Sequence, residues 1–509
     1  PQMHIGNFRT ALYSYFWAKK NNGEFILRVE DTDRKRYVKG SVEGYLGLFE
    51  SFGITVDKHP TQNEIKEMDD VVFPPANWLY NDEFLKTVKD EDYVNVYIQT
   101  KRLPLYLKYA KKLIDSGFAY ICFLTEEELI PLKEAQPNQP FRSPHRFLKP
   151  EEVKELILQG KDFVVRLNVE KYIEHKKDSI VEYEDLVLGK MKFDLNTVDD
   201  QVLVKSNGIP TYHLAVVIDD YNMSITHPIR GYGWLPSTPK QIMIYDMLGW
   251  KMKPFAHVTD VLDPAGGKLS KRKGAVFATE FLKQGFLPEA IINFISLVGW
   301  TPKIERKFQE KEREIFSMQE IIDLFEIDGI SNANPIFNRE KLAWFNKEYF
   351  KLKTGKDLAL SFVNWVEKFA DDKSMLQTYK SDSTLPSKIE LVKERAGTLL
   401  EIAQQISFFY NAPTNIDWNI DQVATFKDKL ENIKNEVYDV MNSLDEDSAK
   451  WVQTDWVDKM KAIALKYNLK NGDPFMVLRI CIVGSRCSPS LYEAMQLMSK
   501  QEILNRIKE

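Results

Sequence analysis

Phe8, Ala11, Leu12, Tyr15 and Phe16 recur at i, i+3, i+4, i+7 and i+8, so the chain opens on an amphipathic helix over residues 7–20. Asn21-Asn22-Gly23 supplies the residues that end such a helix. Residues 25–29 form a short apolar run that predicts a buried strand, and Glu30-Asp31-Thr32-Asp33-Arg34 leaves its carboxyl end. Helix followed by strand predicts a parallel α/β sheet.

From residue 93 to 210 the pattern is mixed and rich in turns. Helical spacing runs over 103–116, a polar Pro-rich loop over 137–150 and a strand pattern over 163–169. Residues 202–205 and 211–218 read as strands flanking Ser206-Asn207-Gly208-Ile209, where Asn-Gly marks a tight hairpin. The sheet signal then returns, with residues 215–218 running into Asp219-Asp220 and a strand pattern over 224–230 ending in Gly231-Tyr232-Gly233. An α/β domain split by an insertion accounts for this order. Beyond about residue 305, helical patterns bearing Lys and Glu dominate, including 391–409 and 490–507.

Composition narrows the class. At 509 residues the chain exceeds one ordinary core, so about three or four domains are expected. With 44% hydrophobic and 28% charged residues it reads as a globular protein, and no run approaches the roughly 18 apolar residues of a membrane span. No signal-peptide pattern is visible. Cys122, Cys481 and Cys487 are too few for a disulfide framework and form no C-x-x-C pair, which points to the cytoplasm. The net charge of −5 excludes a globally basic nucleic-acid binder but leaves room for a local basic surface.

Against that background a few residues carry candidate chemistry. His4-Ile5-Gly6-Asn7 opens the first helix, whose unpaired N–H groups suit phosphate; Gly6 lets a nucleotide approach, and His4 and Asn7 add donors. The plain alternative is a capping histidine and a turn glycine. Lys268-Leu269-Ser270-Lys271-Arg272-Lys273-Gly274 places four cations after a glycine turn, able to stabilise charge developing on a departing pyrophosphate. A solvated basic loop or an RNA-phosphate patch has the same composition. Glu30 and Arg230 lie at the ends of predicted parallel strands, where open α/β sheets bind ligands. A carboxylate there holds an ammonium and an arginine grips a carboxylate, which together suit an acidic amino acid; a surface ion pair is the alternative.

His4 to Asn7 and Lys268 to Arg272 resemble the two signatures of class I aminoacyl-tRNA synthetases. The intervening blocks resemble, in order, the glutamyl-tRNA synthetases of the bacterial type: residues 27–34 (LRVEDTDR), 97–102 (YIQTKR), 210–213 (PTYH), 225–230 (ITHPIR), 237–241 (STPKQ) and 285–300 (GFLPEAIINFISLVGW). Residues 394–399 and 478–489 (LRICIVGSRCSP) are similar to that family's anticodon-binding region, so the resemblance spans essentially the whole chain.

The resemblance implies a multidomain α/β plus α protein. A Rossmann-like catalytic domain (1–92 and 211–260) is split by an insertion for the tRNA acceptor end (93–210). A stem-contact region carrying the second signature (261–350) and a helical anticodon-binding domain (351–509) follow. It implies ATP-dependent attachment of L-glutamate to tRNA(Glu) through a glutamyl-adenylate, with release of AMP and pyrophosphate. His4, Gly6, Asn7, Lys268, Ser270, Lys271 and Arg272 are then the ATP-binding set, with His4, Lys268 and Lys271 catalytic. Glu30 takes the substrate ammonium, Tyr212 and Arg230 line the amino-acid pocket, and magnesium accompanies ATP. The family implies a monomer.

Four departures stand out. The family has a strand bearing an arginine and a serine before the first signature; this sequence starts at Pro1, so a longer natural chain is expected. Tyr232-Gly233 replace two acidic residues, and Val216 replaces a polar amide. Leu124 stands where a second cysteine would join Cys122, so no zinc is expected. The alternatives are a non-catalytic or substrate-altered tRNA-binding paralogue, and a form that also charges tRNA(Gln). A glutaminyl enzyme and a shortened paralogue fit the long helical C-terminal half poorly.

Overall fold

The first apolar stripe forms α1 (Ile5–Lys20), and the structure buries more of it than one face. Phe8, Leu12, Tyr15 and Phe16 are buried as expected, together with Arg9 and Tyr13 on the other side. Arg9 stays inside because its guanidinium donates to the carbonyls of Val298 (2.9 Å) and Thr259, while Tyr13 Oη donates to Val298 O at 3.0 Å. The helix ends at Asn21, with Asn22 in the left-handed region at φ 54°. The structure is a computed structural model and describes residues 3–34, 38–75, 77–135, 137, 139–270, 276–304, 313–414, 416, 418 and 421–508.

Contacts divide the chain into two compact units, residues 1–276 with 295–337, and residues 277–294 with 338–509. In the first unit the predicted strand at 25–29 is half-buried and, among the described residues, pairs only through single parallel bridges, Ile26 with Lys58 and Val29 with Ile98. After α1 come α2 (Ser41–Ser51) and α3 (Leu103–Asp115). Next are β1 (Ala119–Cys122), β2 (Val164–Leu167), β3 (Ile180–Asp185), β4 (Gly189–Asp194) and β5 (Val202–Val204). Strands β1, β2 and β5 form an antiparallel sheet in that order, and β3 and β4 an antiparallel hairpin.

The Asn-Gly turn falls as predicted, with Gly208 at φ 77° and Lys205 N bonded to Ile209 O at 2.9 Å. The expected strand beyond it is instead helix α4 (Tyr212–Asn222). A short apolar run cannot tell a buried strand from a buried helix. Here Leu214, Ala215, Val216, Val217 and Ile218 are all buried, so no exposed residue revealed the period. The strand expected over 224–230 shrinks to β6 (Ile229–Gly231). It is followed by α5 (Thr238–Met247) and by β7 (Ala256–Val258), which pairs parallel with β6 and sets Arg230 beside His257. One continuous apolar core runs from α3 through β1, β2 and β5 to α4, α5 and Phe255.

That core contains a buried ionic cluster. Asp219 on α4 accepts from Arg102 Nε at 2.7 Å, Gln99 Nε2 at 2.8 Å and Tyr106 Oη at 2.9 Å, and both Arg102 and Asp219 side chains are fully buried. Asp219 thereby pins the chain entering α3 to the helix that carries Tyr212.

The second unit is helical. Its elements include α6 (Arg339–Leu352), α7 (Gly355–Lys368), α8 (Leu385–Val392), α9 (Leu399–Ile406) and α10 (Leu430–Asn442), then α11 (Thr454–Tyr467), α12 (Asp473–Val483), α13 (Leu491–Gln496) and α14 (Lys500–Lys508). Each of the two long helical patterns expected here is broken in the middle. Thr398 caps the second half of the first, accepting from Glu401 N, and Ser499 Oγ accepts from Glu502 N in the second. Lys388 is buried against Asp382 (2.7 Å) with its ammonium 4.3 Å from the Tyr410 ring centroid. Burial opposes the Asp382 charge, but hydrogen bonds from Lys388, Thr384 and Tyr410 hold its carboxyl well below the usual range. Replacing Lys388 by Met should leave that carboxylate half-paired and lower stability by about 1–3 kcal/mol, read from chemical denaturation.

Candidate active site

At the N-terminus of α1, Gly6 N–H donates to His4 Nδ1 at 3.1 Å, so Nδ1 carries the lone pair and Nε2 the proton. Nε2 lies 3.2 Å from the carbonyl oxygen of Leu269. Ile5 N also bonds Val276 O at 2.8 Å, so the first signature is tied to Leu269 within the second and to Val276 just beyond it. Among the described residues, a Cβ placed on Gly6 would meet only the His4 ring. Asn7, Lys268 and Ser270 are exposed. Lys268 pairs with Asp260 at 2.8 Å, an exposed contact worth at most about 1 kcal/mol and easily exchanged for a phosphate. Lys271 and Arg272 lie outside the described residues.

Glu30 is exposed at the end of its extended segment and bound through Oε1 by Arg28 Nη2 at 2.9 Å. Arg28 also donates to Asp220 Oδ1 at 2.8 Å and lies 3.7 Å from Asp219. Burial raises the Asp220 pKa, while Arg28 opposes the shift. Glu30 is therefore one member of an Arg28-centred cluster, whereas the sequence suggested Arg230 as its counterpart.

Arg230 is the best-held candidate. Its Nε donates to His257 Nε2 at 3.0 Å, Nη1 to Gln241 Oε1 at 2.7 Å and to Tyr212 Oη at 3.3 Å, and Nη2 to Thr238 Oγ1 at 2.9 Å. Its guanidinium carbon sits 4.6 Å from the Phe255 ring centroid. The Tyr212 ring stacks on Trp234 at 4.2 Å, and its phenol feels both Arg230 and Glu30. Burial raises the Tyr212 pKa, so it is a neutral hydrogen-bonding group at pH 7.

The structure thus joins His4 with the Leu269 end of the second signature, and Tyr212 with Arg230. Four residues around Arg230 escaped sequence reasoning as site residues: Asp185, Thr238, Gln241 and His257. Thr238 and Gln241 lie in the STPKQ block; Asp185 ends β3 at an inward position and His257 is buried in β7, in stretches where no strand was expected. Of the departures, Val216 is buried in α4, whereas Tyr232 is 46% exposed and Gly233 is exposed beside it. Cys122 is buried, with its sulfur 3.4 Å from Ser143 Oγ.

The family described as "tRNA synthetases class I (E and Q), catalytic domain" matches residues 2–344, and "Anticodon binding domain" matches 359–509. This chain belongs to the glutamyl-tRNA synthetase family of class I. A glutamate–tRNA ligase of Clostridioides difficile is 35% identical over 99% of this chain and 96% of its own length, and that of Finegoldia magna 34% identical over 99% and 96%. A solved glutamate tRNA ligase from Elizabethkingia meningosepticum, in complex with its amino acid, superposes with a TM-score of 0.78 at 31% identity, covering 100% of this chain and 96% of that one. The fold is the expected class I catalytic domain followed by a helical anticodon-binding domain. No helix among the described residues is long and apolar enough to cross a membrane.

His213, in the same PTYH block, gives this site a pH signature. Burial, then Lys240 and Arg230, lowers its pKa to about 4, and its Nδ1 is buried without a hydrogen-bond partner among the described residues. The unfolded chain takes up this proton near pH 6.5 while the folded one does not. Stability is therefore full above about 6.5 and declines as pH falls towards 4. Urea midpoints from pH 7 to pH 4.5 should fall less in His213→Gln than in the parent.

Proposed function

We propose that the chain is a glutamate–tRNA ligase that uses ATP, with its magnesium, as substrate. The carrying observation is Arg230, a cation at the centre of the short parallel strand β6, held by Tyr212, Thr238, Gln241 and His257. Such a group suits an acidic side chain and discriminates against a neutral one. The α-carboxylate of glutamate attacks the α-phosphorus of ATP, the bond to the bridging oxygen breaks, and pyrophosphate leaves. The terminal ribose hydroxyl of the tRNA then attacks the acyl carbon, loses its proton and displaces AMP.

In this reading Gly6 and Asn7 receive the nucleotide at the α1 N-terminus, and His4 turns Nε2 from Leu269 O to a phosphate oxygen. Lys268, Ser270, Lys271 and Arg272 take the pyrophosphate charge. Glu30, already next to Arg28, takes the substrate ammonium, and Tyr212 closes the pocket. Residues 93–210 receive the acceptor end, 261–350 the stem and 351–509 the anticodon. The protein acts as a cytoplasmic monomer. His4→Ala removes both the cap and the reach to Leu269; glutamate-dependent ATP–pyrophosphate exchange should fall about 100-fold, with about 1 kcal/mol of stability lost.

ATP–pyrophosphate exchange with glutamate, glutamine and aspartate, run with tRNA on full-length protein, tests the proposal. Exchange confined to glutamate is the expected result. Tight tRNA binding with no exchange supports the paralogue reading instead.

A further inference from the structure

We infer that Asp185 and His257 form a positioning relay that holds Arg230 ready for the substrate's side-chain carboxylate. This rests on the reading that Arg230 is the carboxylate-binding group. Asp185 is the last residue of β3, in the stretch read as the acceptor-end insertion, and His257 is the centre of β7. Both side chains are fully buried, and Asp185 Oδ2 lies 2.5 Å from His257 Nδ1.

The donor inventory determines the tautomer. Asp185 Oδ1 accepts the backbone N–H groups of Val187 and Leu188 at 3.0 Å each and of His257 at 3.2 Å, so the carboxylate is an acceptor throughout. Burial opposes its charge, but the hydrogen bonds from His257, Leu188 and Val187 win and hold its pKa below the usual range. The proton between Asp185 and His257 therefore sits on Nδ1, which leaves Nε2 as a lone pair. That lone pair faces Arg230 Nε–H at 3.0 Å. The other groups around this imidazole are Thr238 Oγ1 at 3.4 Å from Nε2 and the Phe255 ring. Burial and the Arg230 charge keep the ring neutral against the pull of Asp185.

The arrangement aims a flexible side chain. Arginine has five N–H donors in a fixed plane. Anchoring Nε on His257, one Nη1 proton on Gln241 and one Nη2 proton on Thr238 fixes that plane. The remaining two protons, one on each Nη, then present a fork to a carboxylate, once the long 3.3 Å contact to Tyr212 yields. Losing the Nε anchor frees the plane to rotate. The hairpin β3–β4 also fastens to the strand's approach through Leu186 N to Phe255 O at 2.9 Å, so the insertion sets the arginine's position.

Asp185→Asn separates aiming from folding. The amide oxygen keeps the three backbone donors, but its nitrogen donates to His257 Nδ1, which forces the proton onto Nε2 and sets donor against donor at Arg230. His257→Gln restores an acceptor at the Nε2 position with no link to Asp185. We expect Asp185→Asn to raise the glutamate KM in exchange about 10- to 100-fold, with ATP KM and melting temperature unchanged. In the His257→Gln background the same substitution should have less than a twofold effect. The relay is overturned if Asp185→Asn leaves the glutamate KM within twofold while Arg230→Gln raises it. A parallel rise in ATP KM, or additivity with His257→Gln, also overturns it. If Arg230→Gln itself leaves the glutamate KM unchanged, the underlying reading of Arg230 fails first.

Discussion

Arg230→Gln is expected to lower kcat/KM for glutamate about a thousandfold while leaving the ATP KM within a factor of two. Charge-assisted contacts to a desolvated carboxylate contribute several kcal/mol, and each 1.4 kcal/mol is a factor of ten, so loss of the cation corresponds to about 4 kcal/mol. The loss is large because the site is preorganised: Tyr212, Thr238, Gln241 and His257 all aim acceptors at Arg230, and a shorter neutral amide leaves several of them without a donor. Glutamine should lose far less than glutamate, so the ratio of the two kcat/KM values collapses. Steady-state exchange with both amino acids reads this directly. A uniform loss for both would mean that Arg230 supports the fold and does not choose the substrate.

Asp219→Ala is expected to destabilise the first unit by about 3–5 kcal/mol, the range for removing one partner of a buried ion pair. The substitution strands Arg102 inside the core and deprives Gln99 and Tyr106 of their acceptor. It also removes a carboxylate 3.7 Å from Arg28, the residue that binds Glu30. A lower denaturation midpoint should therefore come with a higher glutamate KM. An unfolding free energy within 1 kcal/mol of the parent would show that the cluster relaxes or hydrates more easily than its burial implies.

Much of this was legible in the chain. The α1 stripe, its Asn-Asn-Gly stop, the Asn-Gly turn and the strand at 164–167 follow from local periodicity and turn chemistry, which act over a few residues. Tyr212 and Arg230 were readable as a pair only through the blocks that carry them, and the structure gives the reason they meet: α4 begins at Tyr212, and β6 places Arg230 within reach of it. The helix over 212–218 read as a strand because its middle is buried on every side, which erases the polar positions that reveal a period. Asp185, Gln241 and His257 stayed hidden for another reason. Their chemistry exists only across separations of 11, 27 and 72 residues, Arg230 to Gln241, Arg230 to His257 and Asp185 to His257, and no helical or strand period marks it.

The most direct measurement is aminoacylation itself, with full-length protein, ATP, labelled glutamate and purified tRNA(Glu) or tRNA(Gln). The account predicts acid-precipitable glutamyl-tRNA from tRNA(Glu), dependent on ATP and lost in Arg230→Gln; the extent of charging on tRNA(Gln) then reports the breadth of tRNA choice. Binding of tRNA(Glu) without any transfer of glutamate to it would contradict the account.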